Sequence, residues 1–165
     1  MTIGLASTKM AVMEPVAGCL ACDLLVGVRP LPGGRLAESS GWVVEHSVGP
    51  LGLGTLVVKP VRHVVHVAEL NGVESEALGP LLRRVAAAVT EVVRPEQVYV
   101  CLWSHADAVP GHVHFVVQPV VKAVMARFHA CGPALQMAMF REAAVPGASE
   151  VEALCRQLRA VLSRG

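Results

Sequence analysis

Between residues 74 and 93 the apolar side chains Leu78, Leu81, Leu82, Val85, Val89 and Val92 recur every three or four positions. That spacing gathers them on one stripe of a helix, and such a stripe must be buried against another element. Arg94-Pro95 ends the run, because the residue before a proline is pushed out of helical geometry. Whatever flanks this long helix has to supply the surface it packs on. Upstream, residues 42–48 and 55–59 are apolar runs split by Gly49-Pro50-Leu51-Gly52, the pattern of an antiparallel hairpin. A further run, 61–67, leads to a polar break at Asn71-Gly72. Downstream, 98–103 reads as a strand and 112–118 as another, after a loop closing on Pro110-Gly111. Three helical segments follow, at 120–130, 134–141 and 149–164, while the turn-rich first forty residues read as irregular. Strands, one long helix, strands and then helices predict an α+β fold.

No repeat, linker or low-complexity tract divides the chain, so residues 1–165 read as a single domain. The net charge is +1, too small a field to recruit DNA, RNA or an anionic membrane. No apolar run reaches the about 18 residues needed to span a bilayer. At 53% hydrophobic residues the chain still carries surplus apolar surface, which predicts contact with a second copy of itself. Val16-Ala17-Gly18-Cys19 resembles a lipoprotein cleavage box, but the preceding segment has only Lys9 as a basic residue, and Glu14-Pro15 interrupts it. The five cysteines are odd in number with one close pair, which argues against a disulfide framework and for the cytoplasm.

That pair, Cys19-x-x-Cys22, suits either thiol–disulfide exchange or half of a tetrahedral zinc site. Its place before the first predicted strand weakens the redox reading, which belongs at the start of a helix in a βαβ unit. His112 and His114 alternate along a predicted strand and so project to one face, with Val113, Phe115 and Val117 on the other. Each imidazole has two nitrogens to satisfy, so two buried on one face need partners: a metal, a ligand or ordinary hydrogen bonds.

Pro110-Gly111-His112-Val113-His114-Phe115-Val116-Val117-Gln118-Pro119 resembles the signature strand of the histidine-triad superfamily, His-φ-His-φ-His-φ-φ. The stretch from Gly52 to His63, with Lys59-Pro60-Val61-Arg62-His63 at its end, resembles the family's hairpin. Val67-Ala68-Glu69-Leu70 follows where the family enters its long helix, and the Cys-x-x-Cys is similar to that of zinc-bearing members. The resemblance covers about residues 15–120 and leaves 121–165 as a C-terminal helical extension. It implies a five-stranded antiparallel sheet with one long helix, and a homodimer. It also implies a structural zinc ion on Cys19, Cys22, His63 and His112, with His66 the rival to His63. His114 takes the position of the family's nucleophile, which attacks an α-phosphate, so the ligand implied is a nucleotide or nucleotide conjugate.

The chain departs from the pattern where phosphate oxygens would be handled. The third histidine, glutamine in the related uridylyltransferases, is Val116, which donates nothing. Candidate replacements are Ser104 and His105 in the loop before the motif, Gln118 beyond it, and His46-Ser47 where the family contacts ribose. Three functions follow: a nucleotide hydrolase or nucleotidyl transferase, a nucleotide-binding regulator with little turnover, or a biosynthetic enzyme of altered chemistry.

Overall fold

The structure, a computed structural model, describes residues 15–104 and 110–164. Its strands are β1 (Arg35–Ser39), β2 (Trp42–His46), β3 (Leu56–Pro60), β4 (Gln97–Leu102) and β5 (Phe115–Val120). They pair antiparallel in one sheet, in the order β1-β2-β3-β5-β4. The helices are α1 (Leu20–Leu25), α2 (Gly72–Val93), α3 (Lys122–Phe128), α4 (Gly132–Glu142) and α5 (Ala148–Leu162), with a 3-10 turn at Val67–Glu69. The expected α+β architecture, one five-stranded sheet beside one long helix, is present.

Alternation along the strands divides the sheet into two faces. On the first, Trp42, Val44, Leu56, Val58 and Val117 pack with Leu81, Val85, Ala88 and Val89 of α2. Helix α5 joins the same core through Val151, Cys155, Leu158 and Leu162. It lies against the loop before β1 at Gly33, where φ is +78° and an added Cβ would collide with the Cys155 sulfur, so only glycine fits. On the second face, α3 and α4 cover the β4–β5 side through Val120, Leu135 and Met139. The rest of that face, towards β2 and β3, is left for a cavity.

Helix α2 begins where its cap is written. The Asn71 side chain accepts from the Glu74 amide at 2.9 Å, and the Glu74 carboxylate accepts from the Asn71 amide at 2.9 Å. The helix ends at Arg94, in left-handed geometry ahead of Pro95.

Three expectations need correction. Strand β1 lies inside the stretch read as irregular; of its five residues only Leu36 and Ala37 are apolar, too few for a visible alternation. It turns into β2 through Ser40-Gly41, whose φ values of 51° and 80° match a tight hairpin turn with the sheet's own twist. Of the cysteine pair, also in that stretch, Cys19 caps α1 and Cys22 lies on it. Strand β5 starts at Phe115, so His112 and His114 sit on an extended segment just before it.

Candidate active site and metal centre

Cys19 caps the N-terminus of α1 and Cys22 lies one turn on, both buried. His63 follows β3, and His112 precedes β5. Their ligand atoms all lie within 4.8 Å of one another. Cys22 Sγ is 3.3 Å from His63 Nδ1 and 3.7 Å from His112 Nδ1, and Cys19 Sγ is 3.6 Å from His112 Nδ1. Zinc bonds of about 2.3 Å to sulfur and about 2.0–2.1 Å to nitrogen put tetrahedral donors roughly 3.3–3.8 Å apart, so the set fits that ion. His112 Nε2 donates to the Pro60 carbonyl at 3.0 Å, which fixes the tautomer with the lone pair on Nδ1, facing the sulfurs. Burial lowers the His112 pKa to about 4, so the ring is neutral and able to ligate at pH 7. Burial pushes the Cys22 thiol up, the opposite of a redox-active cysteine, and no disulfide joins the pair. His66, the rival ligand, is exposed and outside the cluster, where it caps the 3-10 turn.

Next to this cluster a cavity of about 730 Å³ opens on the second face of the sheet. His114 lies on its wall. Its Nδ1 donates to the His112 carbonyl at 2.9 Å, which leaves the lone pair on Nε2. Val116 lines the same cavity and is 3% exposed.

The other expected site residues divide. Ser47 and Ser104 line the cavity; Ser47 Oγ accepts from the Gly49 amide at 3.1 Å, and Ser104 Oγ donates to the Val65 carbonyl at 3.4 Å. His46 also lines it, but both ring nitrogens are committed. Nδ1 donates to the Ser47 carbonyl at 2.7 Å, and Nε2 accepts from the Gly54 amide at 2.9 Å. This ring pins the β2–β3 turn, and burial lowers its pKa. Gln118 is corrected: it is buried under α4, not on the cavity wall, and bonds Leu51, Met139 and Gln136. His105 lies outside the described residues.

Sequence reasoning missed a buried ion pair on the same wall, Lys59 with Glu45. The available signal was alternation: both charges fall on the strand face shared with Val43, Val57 and Val116. It also missed the aromatic side of the cavity, where Trp103 stacks on Phe140 of α4 at 5.3 Å. No local pattern marks Phe140, since its partner is thirty-seven positions away.

No family profile and no curated protein matches the sequence. Solved structures do match the fold. A zinc-bound histidine triad family protein from Mycobacterium smegmatis superposes with a TM-score of 0.63 at 20% identity, covering 88% of this chain and 94% of that one. A hypothetical histidine triad nucleotide-binding protein from Sulfolobus tokodaii gives 0.67 at 15% identity, over 88% and 93%. A Hit-like protein involved in cell-cycle regulation from Bartonella henselae gives 0.65 at 15%, over 86% and 94%.

Proposed function

We propose that this chain, which has the histidine-triad fold, is a nucleotide hydrolase or nucleotidyl transferase acting at an α-phosphate through His114. The observation that carries the reading is the hydrogen bond that orients His114. Its Nδ1–H is held by the His112 carbonyl, so the nucleophilic lone pair sits on Nε2 of a ring that lines a nucleotide-sized cavity. In the step proposed, Nε2 forms a bond to the α-phosphorus as the bond to the leaving group breaks. Water or an acceptor then takes the nucleotidyl group and restores the neutral imidazole. Ser47 and Ser104 are the hydroxyls assigned to ligand contacts, and His46 shapes the same cavity wall.

Cys19, Cys22, His63 and His112 would hold zinc in a closed shell, so the ion would brace the site rather than polarise substrate. The bracing is physical: the His112 carbonyl that orients His114 belongs to a metal-ligand residue. Five free thiols fit a reducing compartment, and we assign the protein to the cytoplasm. Among the described residues no helix is long and apolar enough to cross a membrane.

Val116 favours a second reading, a nucleotide-binding protein with little turnover, because an apolar side chain stands where a proton donor would assist the leaving group. One experiment separates the two. The protein is incubated with adenosine phosphoramidate, diadenosine polyphosphates and nucleotide sugars, quenched at low pH and weighed intact. A nucleotidyl adduct that His114→Ala abolishes is expected; nucleotide binding with neither adduct nor turnover would leave the binding reading.

A further inference from the structure

The Glu45–Lys59 pair is hard to explain as scaffolding alone. Both side chains are almost fully buried, at 2% and 1% exposed, and both line the cavity. Lys59 Nζ donates to the Ala21 carbonyl at 3.1 Å and to Glu45 Oε1. These bonds tie β3 to the Cys-x-x-Cys helix and to β2, and they use two of the ammonium's three protons. Glu45 Oε2 has no hydrogen-bond partner among the described residues. A buried acceptor left unmade is costly, and native proteins rarely keep one unless water, an ion or a ligand completes it. Burial raises the Glu45 pKa against the pull of Lys59, which is the same cost seen from the proton's side.

The surroundings say what kind of group would complete it. Leu20, Leu24, Leu51 and Val57 line the same cavity and offer apolar surface to a flat ring. In the sheet, β3 separates β2 from β5, so Glu45 stands about 9–10 Å across the strands from the His114 segment. With a phosphate at His114, a sugar and base reach across that gap. We propose that the Glu45–Lys59 pair reads the nucleobase: a turn of the buried Glu45 carboxylate towards the cavity lets Oε2 accept an N–H of the base's Watson–Crick edge, with Lys59 donating its third proton to the neighbouring ring acceptor. The inference rests on the nucleotide reading above and names which part of the nucleotide this end of the cavity takes.

The test compares AMP, GMP and purine riboside 5′-monophosphate, whose base carries no N–H, by titration calorimetry. On the wild-type protein the better of AMP and GMP should bind about ten- to a hundred-fold tighter than purine riboside 5′-monophosphate, the range set by a hydrogen bond to a charged acceptor. This comparison needs no variant. In Glu45→Gln the ratio should fall to near one, because the amide keeps an oxygen for Lys59 and turns an N–H towards the base. If circular dichroism shows that variant unfolded, the double variant Glu45→Leu with Lys59→Met replaces the pair by apolar side chains, and the ratio should fall likewise. Equal binding of all three nucleotides by the wild type, or a ratio that survives in a folded variant, overturns the inference and leaves the nucleotide reading standing. Failure of the wild type to bind any nucleotide removes that reading, and this inference with it.

Discussion

Val116 lies on the same face of the sheet as Val57 and Cys101, its neighbours across β3 and β5 and across β4 and β5, and only 3% of it is exposed. In the phosphoryl transfer proposed above, an apolar side chain at that position would leave the leaving group without a donor. Loss of one such donor typically costs about 2.7–4 kcal/mol, or roughly 10²–10³ in rate. Val116→His should therefore raise phosphoramidate hydrolysis by up to that factor, measured as kcat/KM, if the chain is a hydrolase weakened at this residue. The opposing force is packing: an imidazole in a methyl-lined corner typically costs about 1–3 kcal/mol of overpacking. A folded, nucleotide-binding Val116→His protein with no gain over wild type would count against the weakened hydrolase and favour the other readings. At this scale the sequence was most informative where a residue type has few uses. Two cysteines and two histidines announced one cluster, and the favoured His63 lies in it while His66 does not. Glu45 and Lys59 were passed over because a charged residue in a strand ordinarily faces water, although alternation put them on one face with Val43 and Val57; sheet order then shows that this face is covered.

Elements that carry their own start and stop signals were readable, and elements held by tertiary contacts were not. Helix α2 has a periodic stripe, a capping box and a proline stop, and it was expected at 74–93 against an observed Gly72–Val93. Its cap predicts a pH dependence. Burial pushes the Glu74 carboxyl up, but hydrogen bonds from Arg62 and from the Asn71 amide, with the Arg62 charge, outweigh it and hold the pKa below the usual value. A depressed folded-state pKa contributes stability that is present above the unfolded pKa, about 4.3, and is lost as pH falls through the folded value. Thermal melts should thus show wild type losing stability below about pH 4.3, and Glu74→Gln, weaker at neutral pH, losing less over the same range. Equal acid sensitivity would refute this assignment of the cap's charge. Helix α1 is the opposite case: six residues cannot sustain a helix in isolation, so its cysteines must be tied down. Chelation at neutral pH is expected to lower the melting temperature and to weaken nucleotide binding together, since Leu20, Ala21 and Leu24 line the cavity. Full metal loss with an unchanged melting curve would rule out a structural ion.

For the whole molecule, what could not be read locally is how the C-terminal helices divide their work. Helix α5 completes the main core through the regular stripe Val151, Cys155, Leu158 and Leu162, while α4, whose apolar residues are less regularly spaced, places Phe140 on the cavity wall; neither spacing names the surface it covers. Their placement also bears on assembly. At one end of the sheet, β1 is guarded: α5 lies beside it, and Arg159 donates to the Arg35 carbonyl at 3.1 Å. At the other end, β4 is an edge with Val100 and Leu102 at 46% and 43% exposed. An edge strand with apolar side chains invites another strand, and two copies related by a two-fold axis satisfy each other's edges. The expected assembly is therefore a homodimer joined along β4, extending the sheet from five strands to ten. Light scattering at micromolar concentration should give twice the chain mass. Val100→Lys with Leu102→Lys should shift it to the monomer, because two adjacent like charges on each copy oppose edge pairing. The variant should keep the Cys19, Cys22, His63 and His112 cluster, which lies at α1 and beside the ends of β3 and β5 rather than on β4. A wild-type monomer mass would refute the dimer outright. A dimer indifferent to both lysines would move the interface off the β4 edge, to another face of the molecule.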